Sequence, residues 1–163
     1  MSRFLPVIIL TVVLIVIQTT VMSYLAVAGL TPDVLLIWIV YLAVARGQLT
    51  ATVTGFLAGL VMDLLSGSDG MLGLSALAKS SGGFVAGYFF NENKIQQTLG
   101  TYRFLLIIAA AAFVHNLIYF IIFLQGSSVT WWHATLYYGL PAALYTTATG
   151  LIPMFVFARR TLT

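Results

Sequence analysis

The sequence predicts an all-α integral membrane protein of six transmembrane helices with both termini in the cytoplasm. Three observations carry this. Hydrophobic residues make up 61% of the chain and charged residues only 7%, with a mean hydropathy of +1.05, whereas an ordinary soluble domain carries about 25% charged residues. So few charges cannot cover a water-exposed surface, and lipid must be the outer solvent. Six apolar segments can be marked off along the 163 residues. Six of the seven cations, Arg3, Arg46, Lys94, Arg103, Arg159 and Arg160, fall at segment ends that alternate onto one side, and the connections on the other side carry none. Basic flanks resist translocation, so that side is cytoplasmic. The seventh cation, Lys79, lies inside an apolar segment.

The first segment spans about Phe4–Leu25. It exceeds the apolar core of about 7–15 residues found in a signal peptide, and is read as a retained helix despite the small residues Ala26-Val27-Ala28 that follow. A short outer loop with Gly29 and Pro32 leads to the second segment, about Asp33–Ala45. Asp33 suits a helix N-terminus, where the dipole favours negative charge. This segment is short of the roughly 17–25 residues that cross a bilayer unaided, and needs shielding by neighbours. Arg46-Gly47-Gln48 forms an inner turn before the third segment, about Leu49–Leu65, and Ser66–Gly70 forms an outer turn rich in loop formers. The fourth segment is about Leu72–Phe90. The longest polar inner stretch, Asn91–Thr101, precedes the fifth, about Tyr102–Leu124. Gln125–His133 is an outer loop with Trp131 and Trp132 at interface depth, and the sixth segment, about Ala134–Ala158, is interrupted by Pro141 and Pro153. No linker divides the chain, so residues 1–163 are read as one transmembrane domain.

The third and fourth segments carry matched stripes. Ala51, Gly55, Gly59 and Asp63 recur at i, i+4 spacing, as do Ser75, Lys79, Gly83 and Gly87. Both include the GxxxG pattern that lets helix backbones approach closely in lipid, so Gly55, Gly59, Gly83 and Gly87 are the expected packing surface of an antiparallel pair. Helical Cα–Cβ bonds tilt toward the N-terminus, which leans Asp63 and Lys79 toward each other. An unpaired Lys at mid-membrane costs about 2.5–3.5 kcal/mol on insertion scales, so a partner is required. Asp63 is the first choice, with Asp33 and Asp69 behind it. The pair is either a register-fixing ion pair or part of a polar pocket opening outward. His115 and Asn116, midway along the fifth segment with Tyr119 a turn on, are either an interhelical hydrogen-bonding group or a proton relay or ligand site.

Other chemistries are excluded or unsupported. With no cysteine, disulfides, thiolate catalysis and cysteine metal sites are ruled out. No HExxH, GxSxG or P-loop occurs, and the Ser75–Lys79 pair has no visible oxyanion device. No enzyme activity, cofactor or metal is expected. The net charge of +3 is spread over helix ends, where orientation and anionic lipid headgroups account for it, and does not signal nucleic-acid binding.

The runs Thr31-Pro32-Asp33-Val34-Leu35-Leu36, Arg46-Gly47, Gly55-Phe56-Leu57-Ala58-Gly59-Leu60-Val61-Met62-Asp63-Leu64-Leu65-Ser66-Gly67 and Gly73-Leu74-Ser75-Ala76-Leu77-Ala78 together resemble the rod shape-determining MreD family, in order and spacing. Lys79 departs from that family's general pattern. The resemblance implies a non-enzymatic subunit of the bacterial inner membrane, acting in the elongation machinery that supports peptidoglycan synthesis and cell shape. The partners it implies are MreC, RodA, a class B penicillin-binding transpeptidase and, indirectly, MreB. It also implies a fold similar to the S-components of energy-coupling-factor transporters, with a cavity on the outer side. The alternative function is that of such an S-component, binding a vitamin-type small molecule through Asp33, Asp63, Lys79 and His115. Against it stand the short outer loop between the first two segments and the missing Ala-xxx-Ala stripe in the first. A proton channel ranks last, since only Gly, Ala, Ser and Thr lie on the facing stripes between Asp63 and the cytoplasm. The basic ends, Arg46, Lys94, Arg103, Arg159 and Arg160, are expected to set topology and to supply cytoplasmic contacts.

Overall fold

The structure is a computed structural model that describes residues 5–27, 29–65, 71–125 and 128–160. Arg3, the Ser66–Gly70 turn and Asp69, all assigned roles above, lie outside the described residues. The remainder is helical, with no strand among the described residues beyond an isolated bridge between Val27 and Leu30. The helices are α1 (Leu5–Thr20), α2 (Val34–Arg46), α3 (Gln48–Leu65), α4 (Leu74–Gly87), the short α5 (Ile95–Leu99) and α6 (Tyr102–Phe123). A final rod comprises α7 (Trp131–Ala134), a π turn (Thr135–Gly139), α8 (Leu140–Thr149) and α9 (Leu151–Arg160).

Three of these stretches, Gln48–Leu65, Tyr102–Phe123 and Trp131–Arg159, are long and apolar enough to cross a membrane, and Leu5–Thr20 and Val34–Arg46 are shorter apolar helices. An exposed apolar face is evident on α1, where Ile8, Val12 and Val16 form an i, i+4 stripe, each more than half exposed. In water such a continuous apolar face would drive aggregation. By contrast α2 is a core helix: Leu35, Leu36, Ile39, Val40 and Leu42 are wholly buried. Its 13 residues give a length of about 20 Å, and the surrounding helices cover what it cannot span.

Several boundaries differ from the sequence expectation. The first helix stops at Thr20 and the chain continues as a 3-10 turn, Met22–Leu25. The fourth is shorter, Leu74–Gly87 instead of Leu72–Phe90. The inner stretch 91–101 is ordered into a 3-10 turn (Glu92–Lys94) and α5. The last helix begins at Trp131, so the final three residues of the expected 125–133 loop are absorbed into it. Pro141 lies just beyond the π turn. Proline removes a hydrogen bond and crowds the carbonyl four residues back, here that of Tyr137, and the wider turn accommodates it. Pro153 falls in the first turn of α9, where its missing N–H is tolerated.

The closest packing is between α3 and α4, and glycine makes it possible. A Cβ on Gly59 would lie 2.5 Å from the Ala76 Cα, one on Gly55 2.8 Å from the Lys79 carbonyl oxygen, one on Gly83 2.9 Å from the Ala51 carbonyl oxygen and one on Gly87 2.5 Å from the Gln48 Cα. These contacts set an antiparallel register in which Gly59 faces Ala76 and Gly55 faces Lys79. Gly82, on another face of α4, brings that helix against Leu36 of α2 and the Ala111 carbonyl of α6. The basic ends gather at one end of the bundle: Phe90 sits by Gly47, and Gly100 meets Ala158 at the end of α9. A stack of Trp38, Tyr41 and Phe157, with ring centroids 5.1 and 5.2 Å apart, ties α2 to α9.

Candidate functional site

Lys79 pairs with Asp33, not with Asp63. Its ammonium donates to Asp33 Oδ2, and His115 Nε2 lies 3.7 Å from the same oxygen. Lys79 is 2% exposed, so its ammonium is buried among α2, α4 and α6, while the Asp33 side chain is 17% exposed. The register explains why Asp63 is not the partner. Lys79 faces Gly55, which lies eight residues from Asp63, an axial offset of about 12 Å. That is beyond the reach of a lysine side chain, and the favourable lean of the two Cα–Cβ bonds does not close it.

Asp63 has a different task. Its Oδ2 accepts from the amides of Gly73 (2.9 Å) and Ala76 (3.3 Å), and its Oδ1 from that of Ser75 (3.1 Å). The N-cap residue of α4 is Gly73, which has φ +93° and no side chain with which to cap. The carboxylate of the preceding helix therefore satisfies the first-turn amides of α4 in trans, at the end where the dipole favours a negative charge. The sequence carried a signal for this: a helix start with glycine at the cap, ten residues after a buried aspartate.

The N-terminus of α2 is capped by three helices together. Asp33 Oδ1 accepts from the Leu36 amide at 2.8 Å, and the Asp33 amide donates to Thr146 Oγ1 of α8 at 3.0 Å. Gln18 of α1 accepts from the Val34 amide at 2.9 Å through Oε1, and donates to the Pro32 carbonyl at 3.1 Å. Where no water is available, each of these backbone groups needs such a partner. Gln18 went unnoticed in the sequence because a single glutamine near the end of an apolar helix looks like an interfacial residue.

Beside this junction a cleft of about 360 Å³ opens away from the basic end of the bundle. Gln18, Thr31, Asp33, His115, Tyr119 and Thr146 contribute to its walls. Asn116 also faces it, and its amide donates to the Gly139 carbonyl at 2.9 Å, tying α6 to the π turn. The structure thus brings Asp33, Lys79, His115 and Asn116 together and leaves Asp63 apart as a cap. His133 lies elsewhere, stacked on Tyr137 at 4.2 Å. Gly55, Gly59, Gly83 and Gly87 lie at the α3–α4 contact. Arg46, Lys94, Arg103 and Arg159 lie at the opposite end from the cleft, where α9 also ends at Arg160. Among the described residues no group of three or more His, Cys, Asp or Glu side chains is placed to hold a metal ion.

Fold and site define a helical membrane protein organised around a buried ion pair and an open polar cleft, a class to which binding and scaffolding proteins belong. No curated protein matches the chain, and no solved structure does. The family model described as rod shape-determining protein MreD matches residues 1–160, and the chain belongs to that family. The family consists of shape-determining structural proteins and is not a known enzyme family, so the role of this chain lies in determining rod cell shape.

Proposed function

We propose that the chain is a non-enzymatic scaffold subunit of the elongation machinery, a single transmembrane domain of six helices with both termini in the cytoplasm of the inner membrane. Its cleft receives a membrane-proximal segment of MreC. Through that contact it supports peptidoglycan synthesis by RodA and a class B penicillin-binding transpeptidase, with MreB linked indirectly. Family membership supports the shape-determining part of this reading. The observation that supports the cleft as a protein-binding surface is how its polar groups are engaged. Gln18 and Thr146 bond to the α2 backbone, Asn116 to Gly139 and Asp33 to Lys79. The lining residues His115, Thr31 and Tyr119 keep polar groups not so engaged, His115 through Nδ1, while the outer rim offers exposed aromatic surface at Tyr138, suited to a peptide.

The second reading, a vitamin-type S-component or carrier, is favoured by the size of the cleft, since small-molecule sites begin at about 300 Å³. One experiment separates the two. A photo-crosslinking residue is placed at Tyr138, and the protein is recovered from native membranes in mild detergent for mass spectrometry of proteins and small molecules. Crosslinking to MreC supports the scaffold. A stoichiometric metabolite with no MreC adduct would replace it by the carrier.

A further inference from the structure

At the basic end, a second cleft of about 410 Å³ lies between the end of α4 and the start of α6. Its polar wall is Asn91, Lys94, Thr98 and Arg103, and its apolar wall includes Phe89 and Leu106. We infer that this cleft is a binding site for an anionic phospholipid, with the headgroup phosphate between Lys94 and Arg103 and an acyl chain along Phe89 and Leu106.

Four observations point to this ligand. Lys94 and Arg103 are both exposed, and neither forms a salt bridge among the described residues. No acidic side chain lines the cleft, and Glu92, adjacent in the chain, faces a separate cavity beside Arg46. The 22-residue α6 starts here without a side-chain cap. The hydroxyl of its N-cap residue, Thr101, donates to the Gln97 carbonyl at 2.7 Å; the Phe104 amide is taken by the Thr101 carbonyl at 3.0 Å, which leaves the amides of Tyr102 and Arg103 in the first turn open to an anion. The apolar wall is continuous with lipid-facing surface, Leu106 being 62% exposed and Phe89 51%. A soluble anion would engage only the polar wall. A phospholipid satisfies both halves at the depth where headgroups lie. The site is also built in advance: Asn91 Oδ1 accepts from the Asn93 amide at 3.1 Å and the Asn91 carbonyl from the Lys94 amide at 3.0 Å, which holds Lys94 at the rim.

The test uses the purified full chain and native mass spectrometry, with phosphatidylglycerol and phosphatidylcholine of identical acyl chains supplied in equal amounts. Wild type should retain phosphatidylglycerol preferentially. Each cation near an anionic headgroup contributes about fivefold, so Lys94→Gln with Arg103→Gln should reduce that preference about 30-fold. Lys94→Gln alone, at an exposed position in a short turn, should reduce it about fivefold and provides the readout if the double variant does not fold. Arg159→Gln, at the same end but outside the cleft, should leave the preference intact. Equal retention of the two lipids by wild type, survival of the preference in the double variant, or an equal loss in Arg159→Gln would each overturn the site.

Discussion

The ion pair joining Lys79 to Asp33 makes a quantitative demand on stability. Asp33→Asn keeps an oxygen for the Leu36 amide, 2.8 Å away, so the helix cap survives while the negative charge is lost. The Lys79 ammonium, 2% exposed, is then buried without a counter-charge. Losing one partner of a buried pair costs about 3–5 kcal/mol, and an uncompensated lysine at mid-membrane about 2.5–3.5 kcal/mol, so the two scales meet near about 3 kcal/mol. Lys79→Met should cost less, because the carboxylate is partly exposed, keeps the Leu36 amide and has His115 Nε2 at 3.7 Å. Together the two substitutions bury no unpaired charge, and the double variant should be more stable than Asp33→Asn alone, with a coupling of at least about 2 kcal/mol. Lys79→Met combined with Asp63→Asn should instead be additive to within about 0.5 kcal/mol, since the two groups share no partner. The assay is unfolding of the purified protein from dodecyl maltoside into increasing sodium dodecyl sulfate, followed by tryptophan fluorescence. Additive losses at Lys79 and Asp33, or equal coupling between Lys79 and Asp63, would refute the argument.

Two further predictions concern the α3–α4 hairpin. Gly59→Ala should destabilise the protein by about 1–3 kcal/mol, because its Cβ would meet backbone at 2.5 Å; an unchanged melting temperature in detergent would mean that the helices are farther apart than described. Asp63→Leu removes the acceptor for three amides of the first turn of α4, and hydrogen exchange at Gly73, Ser75 and Ala76 should accelerate while Asp63→Asn retains part of the protection; equal exchange in the two variants would show that the carboxylate does not cap the helix.

Much of the architecture was readable in the chain. The helical class, the near-absence of surface charge and the glycine stripes all follow from residue type and spacing, because in lipid the backbone must bond internally and close approach requires small side chains. Asp33, Asp63, Lys79, His115 and Asn116 each stood out as uncommon residue types in apolar segments, but the sequence did not say that Asp33, Lys79, His115 and Asn116 meet while Asp63 stays apart. What failed was the choice of carboxylate. The i, i+4 spacing places Asp63 and Lys79 on facing stripes, but it does not say how far one helix has slid along the other. The helix ends were also misjudged by a few residues. Gly73 with positive φ delays the start of α4, and aromatic residues at 131 and 132 join a helix instead of a loop.

The sequence by itself determined that this chain lives in a membrane as a helical protein, and that one lysine within it must find an acid, because hydration is unavailable there and the cost of an unpaired charge is intrinsic to the residue. Only the tertiary structure decided which acid. The contact of Gly55 with the Lys79 backbone sets the register of α3 on α4. That register aligns Asp63 with the open amides of α4 and turns Lys79 toward the start of α2, where Asp33 serves at once as counter-ion and helix cap. Axial position depends on backbone contacts between helices distant in sequence, and periodicity along a single helix does not encode it.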